Sequence, residues 1–374
     1  IDARFYGPKQ KGLGRYVQKL IENLERIDEN NQYIIFLRKE NWSEYQPQNP
    51  NFQKVLADCH WYTLKEQILM PFKIRQAKID LMHFPHFNVP LFYSGRFIIT
   101  IHDLILKRFP TRRKTFFGPI RYWLKALGYQ MVISSAIKRA RKIIAVSNFT
   151  KQDILKYFKV EPDKIEVIYE GVPLDSGLTL RVATFREAKG RARKVEPEKC
   201  QPYLLYVGNA YPHKNLERLI LAFEKLSQEK KDLQLVLVGE SDYFYQQLQK
   251  QFSHLQNLIF ADFVTDQELA RLYQNASLYV FPSLCEGFGL PPLEAMVHNL
   301  PVVAARSSCL PEVLGQAAVY FNPEDIEDIR QKIKRVLTNK QLQGELISAG
   351  REKIKEYDWQ KMAQETLKRY LADF

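Results

Sequence analysis

LYVFPSLCEGFGLPPLEAM, residues 278–296, runs from an apolar stretch through a loop with two glycines into a segment opened by a pair of prolines. That order predicts a strand whose carboxyl end empties into a loop and then a helix N-terminus. Gly287 and Gly289 allow dihedrals closed to other residues, and Pro291 and Pro292 suit a first helical turn. Such a loop aims backbone N–H groups at one spot, which favours phosphate oxygens. Glu286 precedes the glycines, and on this reading Glu294 stands in the first turn of the helix, where the helix dipole alone would favour it. An ionised carboxylate accepts two hydrogen bonds at once from adjacent hydroxyls. Amides for phosphates, with a carboxylate on either side, match a nucleotide sugar: diphosphate in the middle, ribose at one end, hexose at the other.

The same alternation extends outward over the whole chain. YIIFL, FIITI, KIIAV and KIEVIY in the first half, and YLLYVG, LQLVLVG, NLIF, LYVFPS and PVVAA in the second, are separated by helix-length segments. This predicts an α/β protein of parallel sheets covered by helices, in two doubly wound, Rossmann-like domains with ligands in the cleft between them. The expected division is residues 1–176, a basic linker over 177–201, a second domain over 202–354, and a C-terminal helix over 355–374 packing back on the first domain. Trp359, Met362, Leu367 and Tyr370 form the apolar stripe of that helix. The opening IDARF reads as the second half of a strand, so the natural chain is expected to start a few residues earlier.

Further candidate residues stand at predicted strand ends. In YVGNAYPHKNLERLI (206–220), Asn209 follows the strand and Lys214 lies just ahead of a helix, where a point charge would neutralise a departing diphosphate. Asn215 also reads as a helix N-cap. GPKQKGLGRYVQKL (7–20) sets Gly12 and Gly14 ahead of another helix as a surface that a phosphate or sugar approaches closely, though it lacks the third glycine of a dinucleotide fingerprint. TIHDL (100–104) ends a strand at His102, facing the expected cleft. His83 and His86 have no accompanying ligand set of metal-site spacing, so no metal is expected. There is no Walker loop, no G-x-S-x-G elbow and no Asp-x-Asp.

Composition narrows the class. At 374 residues with 45% hydrophobic content the chain can build two cores and is not a disordered protein. Cys59, Cys200, Cys285 and Cys309 are scattered, which fits reduced thiols in a cytoplasmic protein, and no run approaches the length needed to cross a bilayer. The net charge of +13 calls for an anionic partner. Residues 107–142 mix cations with Phe109, Phe116, Phe117, Tyr122 and Trp123, suited either to an anionic membrane surface on the inner face or to a solvated helix with an aromatic underside.

Taken together, GLGRYV, TIHDL, IAVSNFT, VIYEGV, YVGNAYPHKNLERLI, the glycine-loop stretch and LPVVAARSSCLPEVLGQAAVYFNPED strongly resemble glycosyltransferase family 4, with the GT-B fold of two facing Rossmann-like domains. The resemblance covers nearly the whole chain. It implies that Glu286 holds donor-sugar hydroxyls and Glu294 the ribose, the E-x7-E pair. The amides of Phe288, Gly289 and Leu290 approach sugar and diphosphate, Gly12 meets the phosphates, Lys214 binds the diphosphate and His102 stands beside the transferred sugar. Phe263 and Val264 border the base. Asn209 stands where many relatives have arginine, and Asn299 where glycine is common. The resemblance further implies a metal-independent, retaining hexosyltransferase using a donor such as GDP-mannose or UDP-glucose, without a further cofactor. Its acceptor would be a glycan or lipid-linked hydroxyl in surface-polysaccharide synthesis. A sugar-nucleotide epimerase and a non-catalytic nucleotide-sugar sensor are the alternatives on this fold. A nucleic-acid-binding protein would use the charge but leave the paired glutamates and glycine loop unexplained, so no nucleic acid is expected.

Overall fold

The computed structural model describes residues 1–7, 10–109, 118–173, 201–262 and 264–372, and for residue 11 and residues 118–126 the backbone only. Two units make up the chain: Ile1–Gly171 with Tyr357–Phe374, and Val172–Glu356. Most of the 177–201 linker, including Cys200, lies outside the described residues.

In the first unit α1 (Lys11–Ile27) leads to β1 (Tyr33–Leu37) and β2 (Phe52–Leu56), and α2 (Leu64–Gln76) to β3 (Met82–Phe84) and β4 (Phe97–Ile101). Then come α3 (Ile105–Arg108), α4 (Gly118–Arg139), β5 (Ile143–Ala145), α5 (Asn148–Tyr157) and β6 (Ile165–Val167). β3 to β6 form a parallel sheet in that order, and β1 and β2 a parallel pair. The opening residues join the two: Asp2 N–H donates to the His83 carbonyl at 2.9 Å, Ala3 N–H to Phe36 at 2.9 Å, and Phe36 N–H to Ile1 at 3.0 Å. Apart from Thr100, whose hydroxyl is bonded to Tyr16 and His83, FIITI is apolar, and every residue of β4 is buried, as in a strand covered on both faces.

The second unit alternates strand and helix and ends on a pair of helices: β7 (Tyr203–Val207), α6 (Leu216–Glu229), β8 (Gln234–Val238), α7 (Tyr243–Gln251), β9 (Leu258–Ala261), α8 (Asp266–Asn275), β10 (Leu278–Phe281), α9 (Leu290–Val297), β11 (Val302–Ala305), α10 (Leu310–Leu314), β12 (Ala318–Phe321), α11 (Ile326–Thr338) and α12 (Lys340–Ile354). Its six parallel strands lie in the order β12-β11-β10-β7-β8-β9. The order therefore reverses between β7 and β10, and the loops leaving those strands open onto the crevice where such sheets bind ligands.

α13 (Trp359–Ala372) belongs to the first unit, where the Tyr370 hydroxyl lies 2.6 Å from His83 Nδ1. Its buried side is Trp359, Met362, Ala363, Thr366 and Tyr370; Leu367, expected on the stripe, is only half-buried, because the 359-363-366-370 line of the helix leaves it at the margin. Three strands escape sequence reading, FQKVL, with its Gln53 exposed to solvent, MHF and AVYF.

In the basic segment, 110–117 lies outside the described residues, and three of the described cations are tied into the fold. Arg108 Nε donates to Asp153 at 2.7 Å, Arg139 to the Leu91 carbonyl at 2.6 Å, and Lys142 to the Asp163 carbonyl at 2.9 Å. Cys59, Cys285 and Cys309 are buried, and none of the three is in a disulfide. Among the described residues no helix is long and apolar enough to cross a membrane.

Candidate active site

The loops after β7 and β10 are laced together before any ligand arrives. After β7 the chain makes one tight turn, Pro212–Lys214, and Asn215 then adopts the left-handed conformation, φ 60° and ψ 30°. Asn215 stands at the N-cap position of α6, yet its side chain does not cap the helix. It donates instead to the Pro282 carbonyl at 3.2 Å and the Pro323 carbonyl at 2.7 Å. The Leu284 N–H donates to the His213 carbonyl at 2.7 Å. These bonds carry Lys214 to Glu286, whose carboxylate oxygens accept from Nζ at 2.7 and 2.9 Å. The two side chains are only 14% and 10% exposed, so each charge depends on the other for solvation. Beside them, burial and the Lys214 cation push the His213 imidazole down to about 4, against the pull of Glu286.

The glycine loop is oriented from behind. The Cys309 thiol donates to the carbonyls of Glu286 at 3.4 Å and Phe288 at 3.2 Å. With no cis peptides, the N–H groups of Gly287 and Gly289 in those peptide units point the opposite way. Glu286 N–H itself donates to Ser308 Oγ at 3.0 Å. Gly289 has φ +95°, and a Cβ there would come within 2.9 Å of Leu310. α9 begins at Leu290 with its prolines in the first turn.

Glu294 is the fifth residue of α9, which has no acid in its first turn, so the helix dipole does not account for it as the sequence suggested. Its Oε2 accepts from the Tyr273 hydroxyl at 3.3 Å, and that ring stacks on His298 at 5.3 Å between centroids. Sequence reasoning missed Tyr273, Cys309 and Ser308, which meet the site only through the fold. Phe288 is buried, and its carbonyl accepts from Cys309. Val264 is half-buried in the loop between β9 and α8, and Phe263 lies outside the described residues. Asn209 Oδ1 accepts from the Tyr211 N–H at 3.3 Å and shapes its own loop.

In the first unit Gly12 and Gly14 lie inside the first turn of α1, not ahead of it, because the helix starts at Lys11. A Cβ at Gly14 would stand 2.0 Å from the Gly7 carbonyl, whereas nothing lies within 4 Å at Gly12. Two residues beyond Gly14, the Tyr16 ring meets His102 edge-on with centroids 4.7 Å apart. His102 follows β4; its Nδ1 lies 2.8 Å from Glu170 Oε1 and its Nε2 3.1 Å from the Pro85 carbonyl. His83 spends both ring nitrogens on the hydroxyls of Tyr370 and Thr100. Burial drives His86 down to about 3. Among the described residues no group of three or more His, Cys, Asp and Glu side chains is arranged around a metal position.

Two parallel-sheet units, one with a lysine–carboxylate pair and a glycine loop where its strand order reverses, make this a doubly wound α/β protein whose candidate site lies at the switch point of a sheet. The family model for glycosyl transferases group 1 matches residues 189–353, and that for Glycosyltransferase Family 4 matches residues 11–176. The chain is a glycosyltransferase of the family 4 type with the GT-B fold. It is similar to the O-antigen chain mannosyltransferase RfbU of Salmonella typhimurium, 27% identical over 81% of this chain and 77% of that protein. It is also similar to the O-antigen chain mannosyltransferase B of Escherichia coli, 26% identical over 96% of this chain and 95% of that one. In fold it matches Anabaena HepE, solved in complex with UDP-glucose, with a TM-score of 0.71 at 16% identity over 99% of this chain and 98% of that chain.

Proposed function

We propose that this enzyme transfers a hexose, with mannose the first candidate, from a nucleotide-diphosphate sugar to a hydroxyl of a growing cell-surface polysaccharide or lipid-linked glycan, with retention and without a metal. GDP-mannose and UDP-glucose are the donors to try first, given the mannosyltransferases among its relatives and the ligand of HepE. The observation that carries the reading is the Lys214–Glu286 pair at the reversal of strand order. A diphosphate carries more negative charge than one carboxylate, so it competes for Lys214. The Glu286 oxygens are then released to accept from sugar hydroxyls. Lys214 and the glycine-loop amides stabilise the charge that grows on the departing diphosphate. Glu294, held by Tyr273, takes the ribose. Transfer to the same face through an oxocarbenium-like state lets the departing phosphate take the acceptor proton.

A transfer assay over a nucleotide-sugar panel, with and without EDTA, tests this. Activity with at least one donor that survives EDTA is expected. Glu286→Ala should chiefly depress kcat and Glu294→Ala chiefly raise the donor KM. Unaltered kinetics in both variants, or activity abolished by EDTA, would overturn the assigned roles.

An anionic inner membrane surface is the proposed partner of the first unit, and α2 favours it beyond residues 107–142. Leu64, Ile68 and Phe72 form a stripe four residues apart, 85%, 73% and 60% exposed, and Phe92 is 74% exposed. The Leu91 N–H, next to Phe92, donates to Gln67 of the same helix at 2.7 Å. Lys65, Lys73 and Arg75 share the helix, whose one acid, Glu66, is buried against Arg4. Salt-sensitive flotation with anionic vesicles, lost in Ile68→Ser/Phe72→Ser, is the expected result; no flotation would reject this partner.

A further inference from the structure

His102 stands just past the carboxyl end of β4 and is held from two sides. Both of its ring nitrogens face acceptors: Glu170 Oε1 at 2.8 Å from Nδ1 and the Pro85 carbonyl at 3.1 Å from Nε2. A neutral imidazole has one N–H and satisfies one of these; only the imidazolium donates to both. Glu170 follows β6, two strands from β4 in the sheet, and reaches back to His102 with its side chain 7% exposed. Among the described residues its ion-pair partner is His102, and a buried carboxylate without a cation is costly. The other titratable groups around the ring leave the pair undisturbed. His83 and His86 are kept neutral by burial, Tyr16 on α1 is a neutral phenol meeting the ring by its edge, and Asp103, next in the chain, adds negative charge.

We propose that Glu170 is a positioning residue for His102: it takes the Nδ1 hydrogen, holds the ring as the imidazolium and leaves Nε2–H as a donor to a substrate oxygen. That oxygen replaces the Pro85 carbonyl when substrate binds, and its identity as a sugar hydroxyl rests on the function proposed above. His102 in this form gives a hydrogen bond and cannot take the acceptor proton, which is left to the departing phosphate. The role differs from that of a general base, and the difference is measurable.

Long-range proton–nitrogen NMR of the histidine side chains near neutral pH, with His102 assigned through His102→Gln, reads the ring state without any substrate. Both His102 nitrogens should carry hydrogen in the wild type and one in Glu170→Gln, whose amide is nearly isosteric and whose fold is checked by circular dichroism. A neutral wild-type ring, or the same spectrum in the variant, overturns the proposal. In the transfer assay Glu170→Gln should lower kcat about 10- to 100-fold, as for a hydrogen bond to a charged group, with Glu170→Asp recovering part of the loss. The alkaline limb of its kcat profile should move to lower pH, because the charged ring is lost sooner. Movement of the acidic limb instead would make His102 a base and sink the proposal, as would a uniform loss with no movement of either limb. A wild type that transfers from no nucleotide sugar would refute the functional reading while leaving the NMR outcome standing.

Discussion

At the scale of single residues, Lys214 and Asn215 divide the work of the second unit's site. Lys214 supplies the charge; Asn215 decides where it stands, by spending its amide on two carbonyls from different loops. Asn215→Gly keeps the left-handed backbone but leaves those buried acceptors unpaired, and should cost about 1–3 kcal/mol in urea unfolding. It should also weaken donor binding, although residue 215 is not proposed to touch the donor. A loss of stability with unchanged donor affinity would mean that the loop is placed without it. Lys214→Ala should slow transfer by at least about tenfold, and Glu286→Gln in addition should cost less than it does alone, since the two act as one pair. Additive losses, measured in a double-mutant cycle, would show that they work separately. Lys214 and Glu286 were both legible in the sequence as charges beside glycine turns. Asn215 was legible only as a helix cap, because a cap and a staple use the same residue type and differ in what the fold brings near it.

At the scale of elements, the strand-loop-helix unit of β10 and α9 shows how a loop becomes a site. The thiol of Cys309, from beyond β11, fixes two carbonyls and so turns the intervening amides outward. Gly289 holds the turn with φ +95°, and Gly289→Ala should cost about 1–3 kcal/mol of backbone strain together with contact against Leu310. Thermal unfolding and donor titration together check this: full stability with normal donor binding would show that the turn tolerates a side chain. The run of elements was readable because strands covered on both faces are continuous apolar runs. Edge strand β2, the three-residue β3 and the exact start of α1 were not, since none carries enough periodicity; the last displaced Gly12 and Gly14 from the loop into the helix. Glu294 shifted likewise, from the first turn of α9 to the second, where Tyr273 and not the helix dipole accounts for its place.

Over the whole molecule, each unit keeps a neutral histidine, half-buried His86 and buried His213, that should make it acid-sensitive. His86 in the first unit is held down to about 3 and His213 in the second to about 4. In the unfolded chain both take a proton near the ordinary value of about 6.5. Below that pH the unfolded state binds more protons than the folded one, so stability falls as pH drops toward 4, by about 1.4 kcal/mol per unit for each histidine. Urea midpoints of the wild type should decline between about pH 6.5 and 4, and His86→Gln or His213→Gln should flatten the decline; an unchanged slope would assign it to other groups. The amino-acid sequence by itself determined the two parallel-sheet units, the glycine loop and the charged residues at strand ends, because these follow from local periodicity, turn chemistry and adjacency along the chain. Only the tertiary structure decided that Glu170 reaches His102 from two strands away, that Tyr273 holds Glu294, and that Asn215 and Cys309 set the loops. Those contacts join residues 21 to 108 positions apart, and such pairings are fixed by the order of strands in a sheet, which no local pattern encodes.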